Sequence, residues 1–238
     1  VLRSHSDFIG DVGDHMRNYA RPETLDEAIR LMAQAPRRIL AGGTDLYPAA
    51  GMQLDGDVLD LTGISALNGV THSDGLRIGA CTTWTTIADA DLPPALRALQ
   101  QAARQVGGRQ VQNAGTIGGN LCNASPAADG VPPLLALDAE VELVGPSGLR
   151  RVPLARFLTG PRQTSRAADE MLTAVLLPES AFAGQSAFVK LGARAYLVIS
   201  IAMVAARLQV ADGRIVNAAV AVGACSGVAR RLPLVEAA

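Results

Sequence analysis

The sequence predicts an α+β fold, in which helices and antiparallel strands are mixed without a regular strand–helix–strand repeat. Two observations support this class: some segments have apolar residues at helical spacing, and others are short strands separated by glycine-containing turns. A third is composition, since 49% of the 238 residues are hydrophobic and 18% are charged. Such a chain is too apolar to be disordered and can bury a core.

Charge and motif content exclude several classes of protein. The 21 basic and 22 acidic side chains leave a net charge of -1, so no basic surface for nucleic acid is expected. Neither GxxxxGK[ST] nor GxGxxG occurs, which argues against a P-loop NTPase and a Rossmann domain. The longest apolar run, 196–206, is shorter than the roughly 20 residues of a membrane span.

The cysteines point to a reducing environment. Cys81, Cys122 and Cys225 lie far apart, which fits neither a disulfide framework nor a CxxC metal clamp. We therefore expect a cytoplasmic protein with no metal site on this chain. Residues 1–15 lack the features of a secretory signal, and Met16 resembles a natural start. We therefore interpret 1–15 as a leader or an added segment and leave it out of the predicted fold.

The segment after this leader is predicted to form helix, strand and loop. Thr24–Glu27 has the form of a capping box, and the apolar spacing that follows predicts a helix over 24–34. Pro36 ends this helix, and 38–40 reads as a short buried strand. A glycine-rich loop and a second helix follow, and 58–61 is predicted to be another strand.

Hairpins and one longer helix are predicted for the rest of the chain. Asp74-Gly75 is a hairpin turn, and the apolar spacing from Pro94 to Val106 predicts a helix. The stretch 115–129 is rich in small and polar residues and is predicted to be irregular. The predicted strand pairs are 69–71 with 76–79, 141–144 with 151–154, and 204–210 with 215–222.

Two glycine loops of similar chemistry carry the candidate site. Gly42-Gly43-Thr44 can aim consecutive backbone amides at one anion, because glycine tolerates the required φ and has no side chain to block a phosphate. Thr116–Asn120 has the same composition, and two such nests suit the two phosphates of a pyrophosphate. For either loop alone, a tight turn without a ligand is the alternative. Asp129 can accept hydrogen bonds from ribose hydroxyls, or it is a solvated loop residue or a helix N-cap.

This ordered set of motifs resembles the FAD-binding (medium) subunit of the molybdenum hydroxylases, the family of xanthine dehydrogenase and aerobic carbon monoxide dehydrogenase. The resemblance covers Met16 to about Arg231. It is specific because two loops of this chemistry occur at this spacing and in this order. The segments that carry it are Ile39–Leu46, Thr116–Leu121, Ala124–Asp129 and Ala187–Lys190.

The resemblance implies a vanillyl-alcohol-oxidase-type fold, in which two subdomains hold an extended FAD and a small α/β flavoprotein domain follows. The boundary before the last domain agrees with a break in the apolar pattern near 178–185. The last domain looks short against the family, so a trimmed or truncated domain is expected. The implied units are 16–68 and 69–180 for the two FAD-binding subdomains and 185–238 for the C-terminal domain.

Carried over motif by motif, the resemblance also implies the residues that bind the cofactor. The two loops would hold the diphosphate and neighbouring atoms, and Asp129 the adenosine end. Leu172 would be an apolar contact or is an ordinary core leucine. Lys190, the only lysine, would lie close to the flavin and stabilise its reduced form, or is a surface residue. The implied FAD-binding residues are Ile39, Leu40, Ala41, Gly42, Gly43, Thr44, Asp45, Leu46, Thr116, Ile117, Gly118, Gly119, Asn120, Asp129, Leu172 and Lys190.

No residue of this chain is expected to be catalytic, since the redox chemistry would occur on FAD. His5, His15 and His72 lie outside the glycine loops, so noncovalent FAD is expected. Cys122 is expected to be a small buried side chain rather than a nucleophile, because no histidine is nearby to activate it. Gln112-Asn113 stands where many members of the family carry Arg-Asn, which puts the role of that arginine in doubt.

The function implied by the resemblance is electron transfer within a complex. Molybdopterin on a large partner subunit would oxidise the substrate, [2Fe-2S] clusters on a small partner subunit would relay electrons, and FAD would pass them to NAD⁺, oxygen or a quinone. Three scattered cysteines cannot supply a four-cysteine cluster, which agrees with this division. Two alternatives remain: an independent FAD-dependent oxidase or reductase of the same fold, and a scaffold that binds no flavin.

Overall fold

The computed structural model describes residues 18–50, 56–194 and 197–238. The interpretation of 1–15 as a leader and of Met16 as a start therefore lies outside the described residues. Strands form sheets of three, five and four strands and a two-stranded ladder, interspersed with short helices, so the predicted mixture of helix and strand is confirmed. In the described part of the chain, no helix has the length and apolarity needed to cross a membrane.

The first sheet is parallel, and its central strand is the last of its three in the chain. Thr24 caps the first helix by accepting a hydrogen bond from the Glu27 amide at 3.2 Å, as the capping box predicts. Ala28 and Met32 bury one side of this helix. In chain order the elements are β1 (Tyr19–Ala20), α1 (Leu25–Gln34), β2 (Arg38–Leu40), α2 (Leu46–Ala49) and β3 (Val58–Asp60).

The second sheet is antiparallel, with five helices inserted between its second and third strands in the chain. The predicted hairpins at Asp74-Gly75 and around 146–148 are confirmed. The elements are β4 (Val70–Ser73), β5 (Gly75–Gly79), α3 (Trp84–Asp89), α4 (Arg97–Ala103), α5 (Arg109–Ala114), α6 (Ile117–Asn123), α7 (Val131–Ala136), β6 (Glu140–Gly145), β7 (Gly148–Pro153), α8 (Leu154–Phe157), β8 (Leu158–Gly160), β9 (Gln163–Thr164) and β10 (Met171–Leu177). Their order across the sheet is β4-β5-β10-β6-β7, and β8 pairs with β9.

The third sheet is also antiparallel and includes the predicted hairpin around Asp212-Gly213. Phe188, Met203 and Ala205 on one face of the sheet pack in a buried cluster with Ala102 of α4 and Ala136 of α7. This packing joins the third sheet to α4 and α7, two of the helices inserted between strands of the second sheet. The elements are β11 (Gln185–Leu191), β12 (Ala202–Ala211), β13 (Arg214–Gly223), β14 (Arg230–Arg231) and α9 (Pro233–Glu236).

Two predicted segments differ from the structure. The prediction that 115–129 is irregular is wrong for 117–123, because α6 begins directly after Thr116, whereas 124–129 form neither helix nor strand. Thr116 caps this helix, and full burial of Ile117 and Leu121 outweighs the poor helix propensity of the two glycines. The helix predicted from Pro94 to Val106 is shorter: it begins as a 3₁₀ turn and ends at Ala103 as α4.

Candidate functional site

A cavity of about 690 Å³ lies between the first sheet and helices α3, α5 and α6. Its volume falls within the range of roughly 300–1,000 Å³ that is typical of small-molecule sites. Both glycine loops contribute to its wall, so the structure brings together residues that are far apart in the chain. The predicted site residues that line the cavity are Ile39, Ala41, Gly42, Gly43, Thr44, Asp45, Leu46, Thr116, Gly118, Gly119, Asn120, Asp129 and Leu172.

Three of the predicted site residues lie elsewhere. Leu40 is 5% exposed and Ile117 is fully buried, so both side chains belong to the core that supports the loops. Lys190 lines a neighbouring cavity of about 300 Å³. Its link to the larger cavity runs through Asp129, described below.

The first glycine loop connects the end of β2 to the start of α2 and packs against the end of α5. A Cβ atom on Gly42 would lie 1.9 Å from the carbonyl oxygen of Ala114, so only glycine fits this approach. Gly43 has a φ of +69°, a left-handed conformation that favours glycine. These two glycines therefore place the first loop directly against the residues that precede the second loop.

The amides of the first loop are available to a ligand. Those of Gly42, Gly43, Thr44 and Asp45 donate to no acceptor among the described residues. All four residues line the cavity. Since backbone amides rarely remain without partners unless water or a ligand meets them, this loop fits the predicted anion-binding nest.

The second glycine loop is different, and the prediction that it forms another nest is wrong. The Gly119 amide donates to Thr116 Oγ1 at 3.1 Å, and the amides of Ile117 and Gly118 donate to main-chain carbonyls of residues 80–82. These hydrogen bonds form because the segment is the capped start of α6. The loop therefore offers a ligand little free hydrogen-bonding capacity from its backbone amides.

The two glycines of the second loop instead allow close packing and leave space at the cavity wall. A Cβ on Gly118 would lie 2.7 Å from the carbonyl oxygen of Ala80, so glycine allows α6 to approach the strand end closely. Near Gly119, a Cβ would approach only Thr116 Oγ1, at 3.0 Å. Gly119 thus leaves open space on the cavity side, and the helix forms a flat wall.

Asp129 is a buried acceptor held by two donors. Its Oδ1 accepts from Ser200 Oγ at 2.7 Å and its Oδ2 from Lys190 Nζ at 2.6 Å. Only 8% of its side chain is exposed, so the solvated reading is wrong. The N-cap reading is also wrong, since the residue that caps α7 is Gly130.

The contact between Asp129 and Lys190 corrects the assignment of the two residues to opposite ends of an extended cofactor. Because the two side chains are hydrogen-bonded, they must serve the same end of any ligand in the cavity. With 7% of its side chain exposed, Lys190 is not a surface lysine. It also donates to the carbonyl oxygen of Gln105 at 3.4 Å, which ties β11 to the end of the α4 segment.

Leu172 is a core leucine that also lines the cavity, so its contact with the cofactor stays a prediction. It is 4% exposed in β10, belongs to the main hydrophobic cluster and contributes to the cavity wall. His72 is exposed on β4, as expected. Among the described residues, no group of three or more His, Cys, Asp or Glu side chains could hold a metal ion.

The structure contradicts the expected burial of Cys122 but agrees with the expectation that its thiol is not a nucleophile. Its side chain is exposed at the cavity wall, so the expected burial is wrong. The surrounding protein still desolvates the thiol and raises its pKa to about 11, although Arg166 acts in the opposite direction. A thiol that stays protonated at neutral pH is a poor nucleophile, as expected.

Several residues of the cavity wall were not indicated by the sequence. Trp84 is the only tryptophan and is 1% exposed. Its position after the capping residue Thr83 could have suggested a buried helix start. No local signal marks the arginines, because their role depends on contacts across the fold. The wall residues missed include Arg37, Arg38, Trp84, Val111, Asn123 and Arg166.

Comparison with known protein families identifies the family of this chain. Residues 14–180 match the model of the FAD-binding domain in molybdopterin dehydrogenase. This match covers well over half of the chain and includes both glycine loops. The chain belongs to this FAD-binding family.

Known relatives of this FAD-binding chain are subunits of oxidoreductases. It is 39% identical over 167 residues to the xanthine dehydrogenase FAD-binding subunit of Escherichia coli O157:H7, covering 68% of this chain and 57% of that protein. It is 36% identical over 223 residues to the nicotinate dehydrogenase FAD-subunit of Eubacterium barkeri, covering 90% and 74%. The chain thus spans less than two thirds of the length of the first of these relatives.

A solved structure also resembles most of this FAD-binding chain. Reconstituted carbon monoxide dehydrogenase from Oligotropha carboxidovorans superposes with a TM-score of 0.86 at 27% identity. The likeness covers 93% of this chain and 79% of that one. It extends beyond residue 180 and therefore includes the third sheet.

The cavity of this FAD-binding chain fits the chemistry of FAD. The unpaired amides of the first loop can donate to diphosphate oxygens, for which glycine leaves room. Asp129 supplies a carboxylate acceptor, and Trp84 and Leu172 supply apolar wall. The residues present are therefore suited to an extended ligand with a diphosphate centre and ring systems.

Proposed function

We propose that this chain is the electron-transferring subunit of a molybdenum hydroxylase complex and binds FAD noncovalently. The observation that carries the proposal is the first glycine loop, whose residues line the cavity and whose amides have no acceptor among the described residues. A diphosphate is the group that this loop suits best. The loop lies inside the region that matches the FAD-binding family.

Partner subunits follow from this proposal. We propose a large subunit with molybdopterin and a small subunit with [2Fe-2S] clusters, and NAD⁺, oxygen or a quinone as the acceptor. The names of relatives support a multi-subunit enzyme, since one is the carbon monoxide dehydrogenase medium chain of Hydrogenophaga pseudoflava. The three cysteines of this chain cannot bind a four-cysteine cluster, which supports placing the clusters elsewhere.

We also propose the vanillyl-alcohol-oxidase-type arrangement, with FAD-binding subdomains at 16–68 and 69–180 and a C-terminal flavoprotein domain at 185–238. One support is that each main sheet falls within one of these ranges. A second is that the cavity lies where the first and second units meet. In this arrangement the third unit contributes through Lys190.

Bound FAD would accept electrons and pass them to the acceptor. The chain's own residues would bind and orient it. Amides of residues 42–45 would donate to the diphosphate, and the Lys190 ammonium would hold the Asp129 carboxylate in a fixed direction. Trp84 and Leu172 would exclude water from the ring systems, since both are almost fully buried.

FAD titration of the purified chain tests this proposal, with Trp84 as the reporter. Because Trp84 is the only tryptophan and lines the cavity, bound flavin should quench its fluorescence until one equivalent has been added. Acid precipitation should release the yellow colour to the supernatant, as noncovalent binding requires. Tryptophan emission unchanged by excess FAD would refute the proposal, and colour that stays with the precipitate would refute noncovalent attachment.

A further inference from the structure

Three arginines line the cavity, and they differ in how their charge is compensated. Arg37 Nη1 lies 3.7 Å from Asp57, so its charge already has a carboxylate partner. Arg38 is exposed at the start of β2. Arg166 is half-buried and forms no ion pair with any carboxylate in the described parts of the chain.

Arg166 is nevertheless held in place. Its Nη1 donates to the carbonyl oxygens of Ala167 at 3.0 Å and of Glu170 at 2.6 Å. The carboxylate of Glu170 pairs with Arg150, which also donates to the Ser165 carbonyl oxygen at 2.9 Å. One edge of the Arg166 guanidinium is thus anchored, while its Nε and Nη2 have no acceptor among residues 18–50, 56–194 and 197–238.

Arg166 lines the same cavity as the glycine loops. Cys122 and Asn123, at the end of α6, share this wall with Arg166. Gly119 lies one helical turn before Cys122 and leaves open space beside it. A ligand lying along this face of α6 would therefore pass between the first loop and Arg166.

Charge balance favours a cation beside a diphosphate in this cavity. A diphosphate carries negative charge on both phosphates, and the amides of residues 117–120 in the second loop already donate within the protein. The first loop alone offers amide donors but no positive charge. Arginine is well suited to the remaining role, because its planar fork donates two hydrogen bonds to phosphate oxygens.

We propose that Arg166 is a further cofactor-binding residue, whose free guanidinium edge donates to the diphosphate of FAD. This inference rests on the proposed function, because it concerns the same ligand in the same cavity. It assigns the second half of the diphosphate site to the segment before β10 rather than to the second glycine loop.

The test compares FAD affinity, measured by Trp84 quenching, for the wild-type chain and three variants. Arg166→Met removes the charge and the guanidinium but keeps a long unbranched side chain, and Arg166→Lys restores the charge without the fork. Arg150→Met is the matched control, since it loosens the same segment while Arg150 itself lies off the cavity. Thermal unfolding of each chain without FAD reports any general loss of structure.

We expect Arg166→Met to weaken FAD binding about 10- to 100-fold, as for a lost charged hydrogen bond. Arg166→Lys should recover part of this loss, and Arg150→Met should bind like the wild type. Raising the salt concentration should weaken wild-type binding more steeply than binding by Arg166→Met. Unchanged affinity in Arg166→Met, or an equal loss in Arg150→Met, would overturn the inference while leaving the proposed function intact. Absence of FAD binding by the wild type would overturn both.

Discussion

The ion pair between Asp129 and Lys190 is almost out of reach of solvent, with 8% and 7% of the side chains exposed. Replacing Lys190 with methionine would leave the carboxylate buried with Ser200 as its remaining donor. Losing one partner of a buried pair costs about 3–5 kcal/mol. We expect Lys190→Met to lower the free energy of unfolding of the FAD-free chain by about this amount, measured by urea denaturation.

An exposed pair provides the control for this residue-scale prediction. Arg109 and Asp89 lie 3.8 Å apart, with 62% and 59% of their side chains exposed. Because solvent screens such a pair, Arg109→Met should change the free energy of unfolding by less than about 1 kcal/mol. Similar losses in the two variants would show that burial does not determine the strength of the Asp129–Lys190 contact.

The sequence could predict both members of this pair but not their contact. Asp129 stands out after a glycine loop, and Lys190 as the only lysine. They are 61 residues apart, however, and β11 carries one of them to the other through packing on α4. The position of Arg166 at the cavity was even harder to predict from the sequence, because nothing near it in the chain distinguishes it from the other arginines.

At the scale of elements, the approach of the first loop to the end of α5 determines the shape of the cavity. A methyl group on Gly42 would lie 1.9 Å from the Ala114 carbonyl oxygen, so the loop or α5 would have to move. Forced overpacking of this kind typically costs about 1–3 kcal/mol. We expect Gly42→Ala to lower stability by about this amount in urea denaturation and to abolish quenching of Trp84 by FAD.

Gly227→Ala is the matched control for Gly42→Ala. Its φ is not in the left-handed region, and an added Cβ would approach only Pro161, at 3.3 Å or more. This substitution should leave FAD binding unchanged. If Gly42→Ala bound FAD as tightly as Gly227→Ala, the close contact between the first loop and α5 would not be needed for the site.

Sequence patterns predicted elements best where the pattern was long. The capping box and periodic apolar residues of α1, and the turns of the three hairpins, were sufficient. By contrast, α3, α5 and α7 have six residues each, too few for a clear period, and were not predicted. In α6, tertiary burial of apolar side chains overrides the glycines, which local propensity cannot reveal.

Across the whole molecule, three carboxylates link stability to acid pH. Hydrogen bonds from Arg150 and Arg231 lower the pKa values of Glu170 and Glu236. Desolvation raises the pKa of Asp60, but hydrogen bonds from Tyr19 and Thr62 outweigh it, so the net shift is downward. At acid pH the unfolded chain binds more protons at these groups, so stability should fall as the pH drops below about 4.5 and through each folded pKa. Urea denaturation at a series of pH values measures this fall.

Single variants test which carboxylates cause the acid dependence. Glu170→Gln and Glu236→Gln each remove one lowered pKa, so each should give a shallower fall in stability between neutral and acid pH. Asp91→Asn changes an exposed carboxylate that forms no ion pair among the described residues. It should keep the wild-type slope. A slope that none of the three changes would contradict the linkage.

The first and second sheets contribute residues to the cavity, and the third sheet is linked to it through Lys190. FAD binding is therefore expected to affect all three sheets. The first loop follows β2, Leu172 lies in β10, and Lys190 of β11 holds Asp129. A ligand at 100 times its Kd stabilises the folded state by about 2.7 kcal/mol, and contacts transmit this to every region they join. We therefore expect FAD to slow hydrogen exchange of amides in β11 and β12 as well as in β2 and β3. Slower exchange in the first sheet alone would show that the Asp129–Lys190 pair does not couple the third sheet to the site.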